Sequence, residues 1–324
     1  MKKEKMMCSI KIGAAVSLAA LLQLAVSTGV AQTFPSKPVR IVVGEAPGTV
    51  NDLLPRMMAP HMSKTLGQPV LIENRPGAGQ LISYEYVVRA EPDGHTAVVV
   101  SVTGLGIVPL TVKDPKIDIH KDLVPVIGIA EGVLALGTSS KKPWSSLQEV
   151  LDYARKNPGK LNVGTVSPTT LLASGIILKG QNVQMVPYTS GASYYQAAIN
   201  GEIDLITAAV QSLEGFGDRI RILAVTGRSR LPGLPSTPTF SELGLPKVAG
   251  IGYSLYVRAG TPSQAIDKLY ASAAEALKLP EVEAQVSKSR MTIIATPPAE
   301  TARAFTELAQ TFADTAREIG MRPQ

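Results

Sequence analysis

The sequence predicts an α/β protein of two lobes, each a mainly parallel sheet flanked by helices, with a ligand cleft between them. Three observations carry this expectation. Short β-branched runs alternate with amphipathic stretches, the pattern of βαβ units. The chain has 324 residues, which at about 100–200 residues per domain suggests two domains. The last quarter resumes the pattern of the first, so the chain passes between the lobes more than once.

Val39-Arg40-Ile41-Val42-Val43 reads as a strand buried on both faces. A Gly/Pro loop and a helix from about Asp52 to Leu66 follow. Pro69 to Glu73 and Thr96 to Ser101 read as the next strands, with a helix from Gln80 to Ala90 between them. The turn Pro92-Asp93-Gly94 precedes the third strand. A second set begins with a strand at Val133 to Gly137. Ser146-Leu147-Gln148-Glu149 has the form of a capping box, opening a helix to about Asn157. Strands are expected at Leu161 to Val166, Val183 to Val186 and Ile203 to Ala208, with helices at Thr169–Lys179 and Ala192–Asn200 between them. Thr237-Pro238 to Gly244 reads as a short helix with an N-cap, proline at N1 and a terminating glycine. The third set opens on a strand at Tyr253 to Val257. Thr261-Pro262-Ser263-Gln264 reads as another capping box, followed by the apolar stripe Ile266, Leu269, Ala273 and Leu277. A last helix spans about Pro298 to Ile319. The expected division is lobe one at 32–131 plus 249–324 and lobe two at 132–248, behind a signal peptide at 1–31.

Composition narrows the function classes. With 45% hydrophobic and 18% charged residues, the chain is too apolar to be disordered. One cysteine excludes an intramolecular disulfide and any zinc site built on two thiolates. A net charge of +6 would ordinarily raise polyanions as partners. Half of it lies in the leader. Lys2, Lys3, Lys5 and Lys11 precede an apolar run from Ile12 to Val26, and Gly29 and Ala31 supply small residues at −3 and −1. That is the layout of a cleaved secretory signal peptide. A membrane anchor needs about 20 apolar residues, and Gln23, Ser27 and Thr28 shorten the run. The leader also takes Cys8, leaving a mature chain of +3 without thiols. Nucleic acid drops out as a partner, since no Lys/Arg run with interleaved aromatics remains.

Enzyme signals are poor. No G-x-S-x-G, H-E-x-x-H, Walker loop or G-x-G-x-x-G occurs in the mature chain. His61, His95 and His120 are far apart, and Ser190 opens a helix as an N-cap rather than a nucleophile. No metal or cofactor is expected. What remains are two loop-to-helix junctions rich in small and hydroxylic residues, Gly44 to Asp52 and Thr165 to Thr170. Unpaired N–H groups and hydroxyls at a helix start suit a carboxylate. Asn51, Asp52, Thr169 and Thr170 read equally well as helix caps.

Several segments carry a family likeness. They include Phe34-Pro35-Ser36-Lys37-Pro38-Val39-Arg40-Ile41-Val42-Val43 and Ala46-Pro47-Gly48 with Asp52 and Arg56. Leu66-Gly67-Gln68-Pro69-Val70-Leu71-Ile72-Glu73-Asn74-Arg75-Pro76-Gly77-Ala78-Gly79 is the most specific. Pro92-Asp93-Gly94-His95-Thr96, Val186-Pro187-Tyr188, Gly201-Glu202-Ile203-Asp204-Leu205 and Ala259-Gly260-Thr261-Pro262 add to it. With these the mature chain resembles the periplasmic solute-binding receptors of the tripartite tricarboxylate transporters, of the Bordetella uptake type. The resemblance implies a two-lobed periplasmic binding protein fold, type II-like and monomeric, that captures a small organic carboxylate or related polar metabolite and hands it to membrane permease subunits. A sensor subunit docking on a signalling protein would share this fold, and a secreted enzyme with an unrecognised site is a further alternative.

The resemblance places the ligand against Glu45, Gly48, Thr49 and Asp52 of the first loop, against Thr165, Thr169 and Thr170 of the second lobe, and against a third loop at Thr103. The chain departs from the family at several of these places. Glu45 stands where an aromatic is usual, Thr49 for a second glycine, Asn51 for threonine or serine, Leu171 for histidine and Thr189 for lysine. The segment Gln211 to Asp218 is shorter than usual and lacks a proline-histidine pair. A carboxylate at the mouth of an anion site would repel an anion unless neutral, paired or turned outward.

Overall fold

Val39–Val43 forms β1, whose side chains are buried on both faces apart from Arg40. Covering both faces demands helices on either side, and the computed structural model supplies them. It describes residues 34–321 except 114–115, 228 and 246–249, and leaves the side chains of residues 102–103 undescribed. The expected signal peptide, with Cys8, lies outside the described residues. On one face α1 (Val50–Leu66) presents Leu54, Met58 and Met62 to Val39, Ile41 and Val99, and α9 (Ser263–Ala276) adds Leu269 and Ala273. On the other face α2 (Leu81–Arg89) presents Tyr84 and Val87 to Val42, Val98 and Val100.

The first sheet also contains β2 (Val70–Asn74), β3 (Thr96–Ser101), β4 (Leu123–Gly132), β10 (Ile251–Arg258) and β11 (Met291–Thr296), in the order β11-β4-β10-β3-β1-β2. β2 and β3 pair with β1 in parallel, whereas β10, β4 and β11 are joined antiparallel. The second sheet holds β5 (Leu134–Ser139), β6 (Leu161–Thr165), β7 (Val183–Pro187), β8 (Leu205–Ala209) and β9 (Ile220–Val225), ordered β7-β6-β8-β5-β9. There too the βαβ strands β6, β7 and β8 are parallel, and β5 is antiparallel to both neighbours. Both sheets are thus parallel where sequence-local βαβ units build them and antiparallel at the strands added beyond those units. On one face of the second sheet, α5 (Leu147–Lys156) and α6 (Pro168–Ile177) bury Leu147, Val150, Leu172 and Ile176. On the other, α7 (Gly191–Asn200) buries Tyr194, Ala197 and Ala198.

Three connections join the lobes. β4 runs through Val133 into β5, and the return into β10 lies beside it, with Ile251 opposite Gly132. Leu134 N–H donates to Thr226 Oγ1 at 2.9 Å, and Gly250 N–H to Glu131 Oε1 at 2.7 Å, which stitches the two crossing segments together. The third connection is α11 (Pro298–Glu318). Its Phe305 packs with Leu105 and Tyr256 of the first lobe, and its Phe312 and Ala316 with Leu172 and Ile176 of the second.

Two local expectations are corrected. The segment from Thr237 to Gly244 is a turn, not a helix. Val225 N–H donates to Pro238 O and Phe240 N–H to Val225 O, so pairing with β9 takes the backbone groups a helix would need. Thr261 does not cap α9: its hydroxyl turns back to Arg258 O at 2.7 Å, and Pro262 holds the N-cap position without a side-chain bond. Ser146 does cap α5, accepting from Glu149 N–H, although the Glu149 carboxylate reaches Ser145 instead.

Tyr194 ties α7 to the second sheet. Its buried hydroxyl donates to Thr207 O at 2.8 Å and accepts from Thr207 N–H at 3.0 Å. The Tyr194→Phe substitution leaves both groups unpaired in the core. It should lower stability by about 1–3 kcal/mol, read as a fall in the midpoint of thermal or urea unfolding.

Candidate functional site

The carboxyl ends of β1 and β3 lead into loops and helix starts on one side of the first sheet, and the end of β6 does the same in the second. The first loop is held by a buried carboxylate. Asp52, 1% exposed, accepts Gly48 N–H on Oδ2 at 2.8 Å. Its Oδ1 accepts Asn74 Nδ2 at 2.8 Å and Arg56 Nε at 2.9 Å. Arg56 also donates to Asn74 Oδ1 at 2.8 Å, which closes a ring of three side chains. The Arg56 guanidinium, with Gly48 N–H and Asn74, outweighs burial and holds the Asp52 carboxyl down at about 2. Gly48 adopts φ +88 with open space around its Cα, so conformation rather than crowding calls for glycine there. Thr49 stands at the N-cap position of α1, but its hydroxyl bonds Ala46 O at 3.0 Å.

Glu45 is half-buried beside this ring. Its Oε1 accepts Asn51 Nδ2 at 2.6 Å and Gln80 Nε2 at 3.1 Å. Gln80 is held in turn by Tyr84, whose hydroxyl donates to Gln80 Oε1 at 2.9 Å. Gln80 reaches Glu45 because the chain stays left-handed from Gly77 to Gln80, with φ +79 at Gln80 itself. Gly44 permits the same approach: a Cβ there would sit 2.5 Å from Ser83 Oγ and 2.7 Å from Gln80 Cβ. Tyr253, opposite Ser101 in the sheet and next to the Gly132 crossover, completes the cluster. Burial, with the Glu45 charge adding to it, pushes the Tyr253 phenol up to about 12, so it stays protonated at neutral pH. One buried atom is left over. Asn51 is fully buried and its Oδ1 has no hydrogen-bond partner.

The second-lobe loop is rich in donors. Ser167 caps α6 by accepting from Thr170 N–H at 3.2 Å, and Thr170 Oγ1 accepts Val166 N–H at 2.9 Å and Ser167 N–H at 3.0 Å. Thr170 is therefore spent on the loop's own shape. Among the described residues the Thr165 hydroxyl, the Thr169 hydroxyl and the Thr169 N–H have no partner, at the positive end of the α6 dipole. The structure thus gathers Glu45, Gly48, Thr49 and Asp52 into one knot and Thr165, Thr169 and Thr170 into another. No hydrogen bond among the described residues joins the two. The backbone of Thr103 lies in the first turn of α3 (Val102–Thr111), which Ser101 caps through Gly104 N–H; its side chain is not described. α3 and α6 meet through Ile107, Leu172 and Ile176, which sets the two helices side by side at the lobe junction.

The pattern of residues left Asn74, Gln80 and Tyr253 unmarked as site residues, because their partners lie far along the chain. The histidines sit apart: His95 accepts Ser36 N–H and faces Asp93, His61 lies near Glu275, and His120 stacks on Phe305. Among the described residues no group of three His, Cys, Asp or Glu is placed to hold a metal ion.

The family model described as the tripartite tricarboxylate transporter family receptor matches residues 54–320. The chain belongs to this receptor family. A UPF0065 protein encoded in the gbd 5' region of Cupriavidus necator is 33% identical over 270 residues, covering 81% of each chain. Among solved structures, MatC from Rhodopseudomonas palustris with bound malate is 26% identical, with a TM-score of 0.66 over 87% of this chain and 99% of its own. A second R. palustris protein, solved with adipate, is 25% identical, with a TM-score of 0.69 over 90% of this chain and 100% of its own. The receptor is therefore a two-lobed solute-binding protein, and its two knots lie on loops at the strand ends where ligands bind in such sheets.

The depressed Asp52 carboxyl has a consequence for stability. Its folded value lies below the ordinary aspartate value of 3.8, so the stabilisation is present above about pH 4 and is lost as pH falls toward about 2. Asp52→Asn should cost about 1–2 kcal/mol at neutral pH, allowing for screening at half-exposed Arg56. Thermal unfolding across this acid range should show a flatter pH dependence in the variant than in the wild type.

Proposed function

We propose that this receptor captures a small organic carboxylate between its lobes in the periplasm and delivers it to permease subunits of a tripartite tricarboxylate-type transporter. On this reading residues 1–31 are removed on export, and the lobes comprise 32–131 with 249–324, and 132–248. The observation that carries the proposal is the set of donors left open in the second lobe: Thr165 Oγ1, Thr169 Oγ1 and Thr169 N–H, at a helix start. These are the groups a carboxylate accepts from. The malate and adipate carried by the two R. palustris structures support the same ligand chemistry. On this reading the first-lobe knot supplies the opposite wall, with Glu45 at its surface and Tyr253 beside the crossover at Gly132.

Calorimetric titration of the purified mature chain with a panel of mono- and dicarboxylates, hydroxy acids, amino acids and acid amides tests the proposal. Saturable binding without turnover is expected. Thr165→Val, which keeps the shape and removes the hydroxyl, should weaken the tightest ligand about tenfold, the worth of about one hydrogen bond to a charged group. Absence of binding across the whole panel would overturn carboxylate capture.

A further inference from the structure

The first-lobe knot is built from acceptors. Glu45 makes no ion pair among the described residues, since the neighbouring cation Arg56 is committed to Asp52. Both donors that reach Glu45 are neutral amides and both bond the same oxygen, Oε1. No hydrogen bond occupies Oε2 among the described residues. Asn51 Oδ1 also lacks a partner, but it is closed off from solvent. The Asn51 amide cannot turn over to relieve this, because its Nδ2 must face Glu45 Oε1, and the reverse would set oxygen against oxygen. Gln80 offers no spare acceptor, its own oxygen being taken by the Tyr84 hydroxyl. The wall thus holds one uncompensated negative charge with one oxygen free to accept, and buried Asn51 holds its other oxygen in place.

A carboxylate oxygen without a donor is free to accept from a ligand, and a half-buried carboxylate repels a second anion brought against it. The donors and the free helix start lie in the second lobe, so the two walls differ in sign. We infer that Glu45 selects a ligand bearing an ammonium group as well as a carboxylate: the ammonium meets Glu45 Oε2, and the carboxylate meets Thr165 and Thr169. This rests on the carboxylate-capture reading and narrows it to amino acids in the broad sense, in place of dicarboxylates. Glu45 is then a specificity-determining residue.

Matched pairs of probes test this, each pair equal in length with one carboxylate exchanged for an ammonium: succinate and β-alanine, glutarate and γ-aminobutyrate, adipate and δ-aminovalerate. In calorimetric titrations of the wild-type chain, the amino member of the best-binding pair should bind at least about tenfold tighter than its diacid. Glu45→Gln keeps an oxygen for Asn51 and Gln80 and removes the charge. It should shrink that preference to less than about threefold, with thermal unfolding showing that the fold persists. Equal or tighter binding of the diacid by the wild type overturns the inference and leaves carboxylate capture standing. A preference unchanged in the Glu45→Gln chain overturns the role given to Glu45. Binding of neither member of any pair, nor of anything else in the wider panel, overturns carboxylate capture and this inference with it. The wild-type comparison decides the ligand class without depending on the variant.

Discussion

The first-lobe site depends on one buried carboxylate. Asp52 sits in the first turn of α1, where a carboxylate is favoured by the helix start, and its two oxygens gather Gly48, Arg56 and Asn74. Those contacts fix the loop after β1, the beginning of α1 and the end of β2 against each other. Everything else in the knot is placed by that arrangement. Asn51 precedes Asp52, so anchoring Asp52 sets the direction of the Asn51 amide. Asn74, while bonding Asp52, also donates to the Glu45 backbone oxygen at 3.0 Å. A buried charge with every oxygen occupied is a positioning device.

The two walls of the cleft solve opposite electrostatic problems. In the second lobe the capping box spends Ser167 and Thr170 on the loop and leaves Thr165 and Thr169 open. That wall has donors to spare and no charge. In the first lobe the donors are consumed internally, by Asp52 and by Oε1 of Glu45, and acceptors remain. Tyr253 stands between the walls at the crossover, its phenol held protonated by burial and by the Glu45 charge.

Much of this fold was legible in the sequence. Unbroken β-branched runs announced β1 and β3, Ser146 announced α5, and the apolar stripe announced α9. β4 escaped notice although it is the longest strand, with ten residues. Its Pro125, Gly128 and Gly132 interrupt the β-branched pattern, and the strand takes Pro125 at an irregularity in its pairing with β10. Helix α3 escaped for a like reason, carrying Gly104, Gly106 and Pro109. In the site, the loop positions were legible because helix starts have local signatures. Glu45 stood out as a departure from the family, but what holds it did not. Gln80 lies 35 residues away and adopts a left-handed conformation that glutamine seldom shows. The run from Glu73 to Gly79 was recognisable as a signature. Its physical role emerged only in three dimensions: it brings Asn74 and Gln80 to the first loop.

The topology also bears on when the molecule can assemble. β10 is inserted between β3 and β4, and α11 contributes aromatic side chains to the interiors of both lobes. Neither interior is complete until the final fifth of the polypeptide has arrived. A chain emerging N-terminus first therefore has no early stopping point at which one half could lock shut. Such a sequence stays pliable through synthesis and settles once its last helix is delivered.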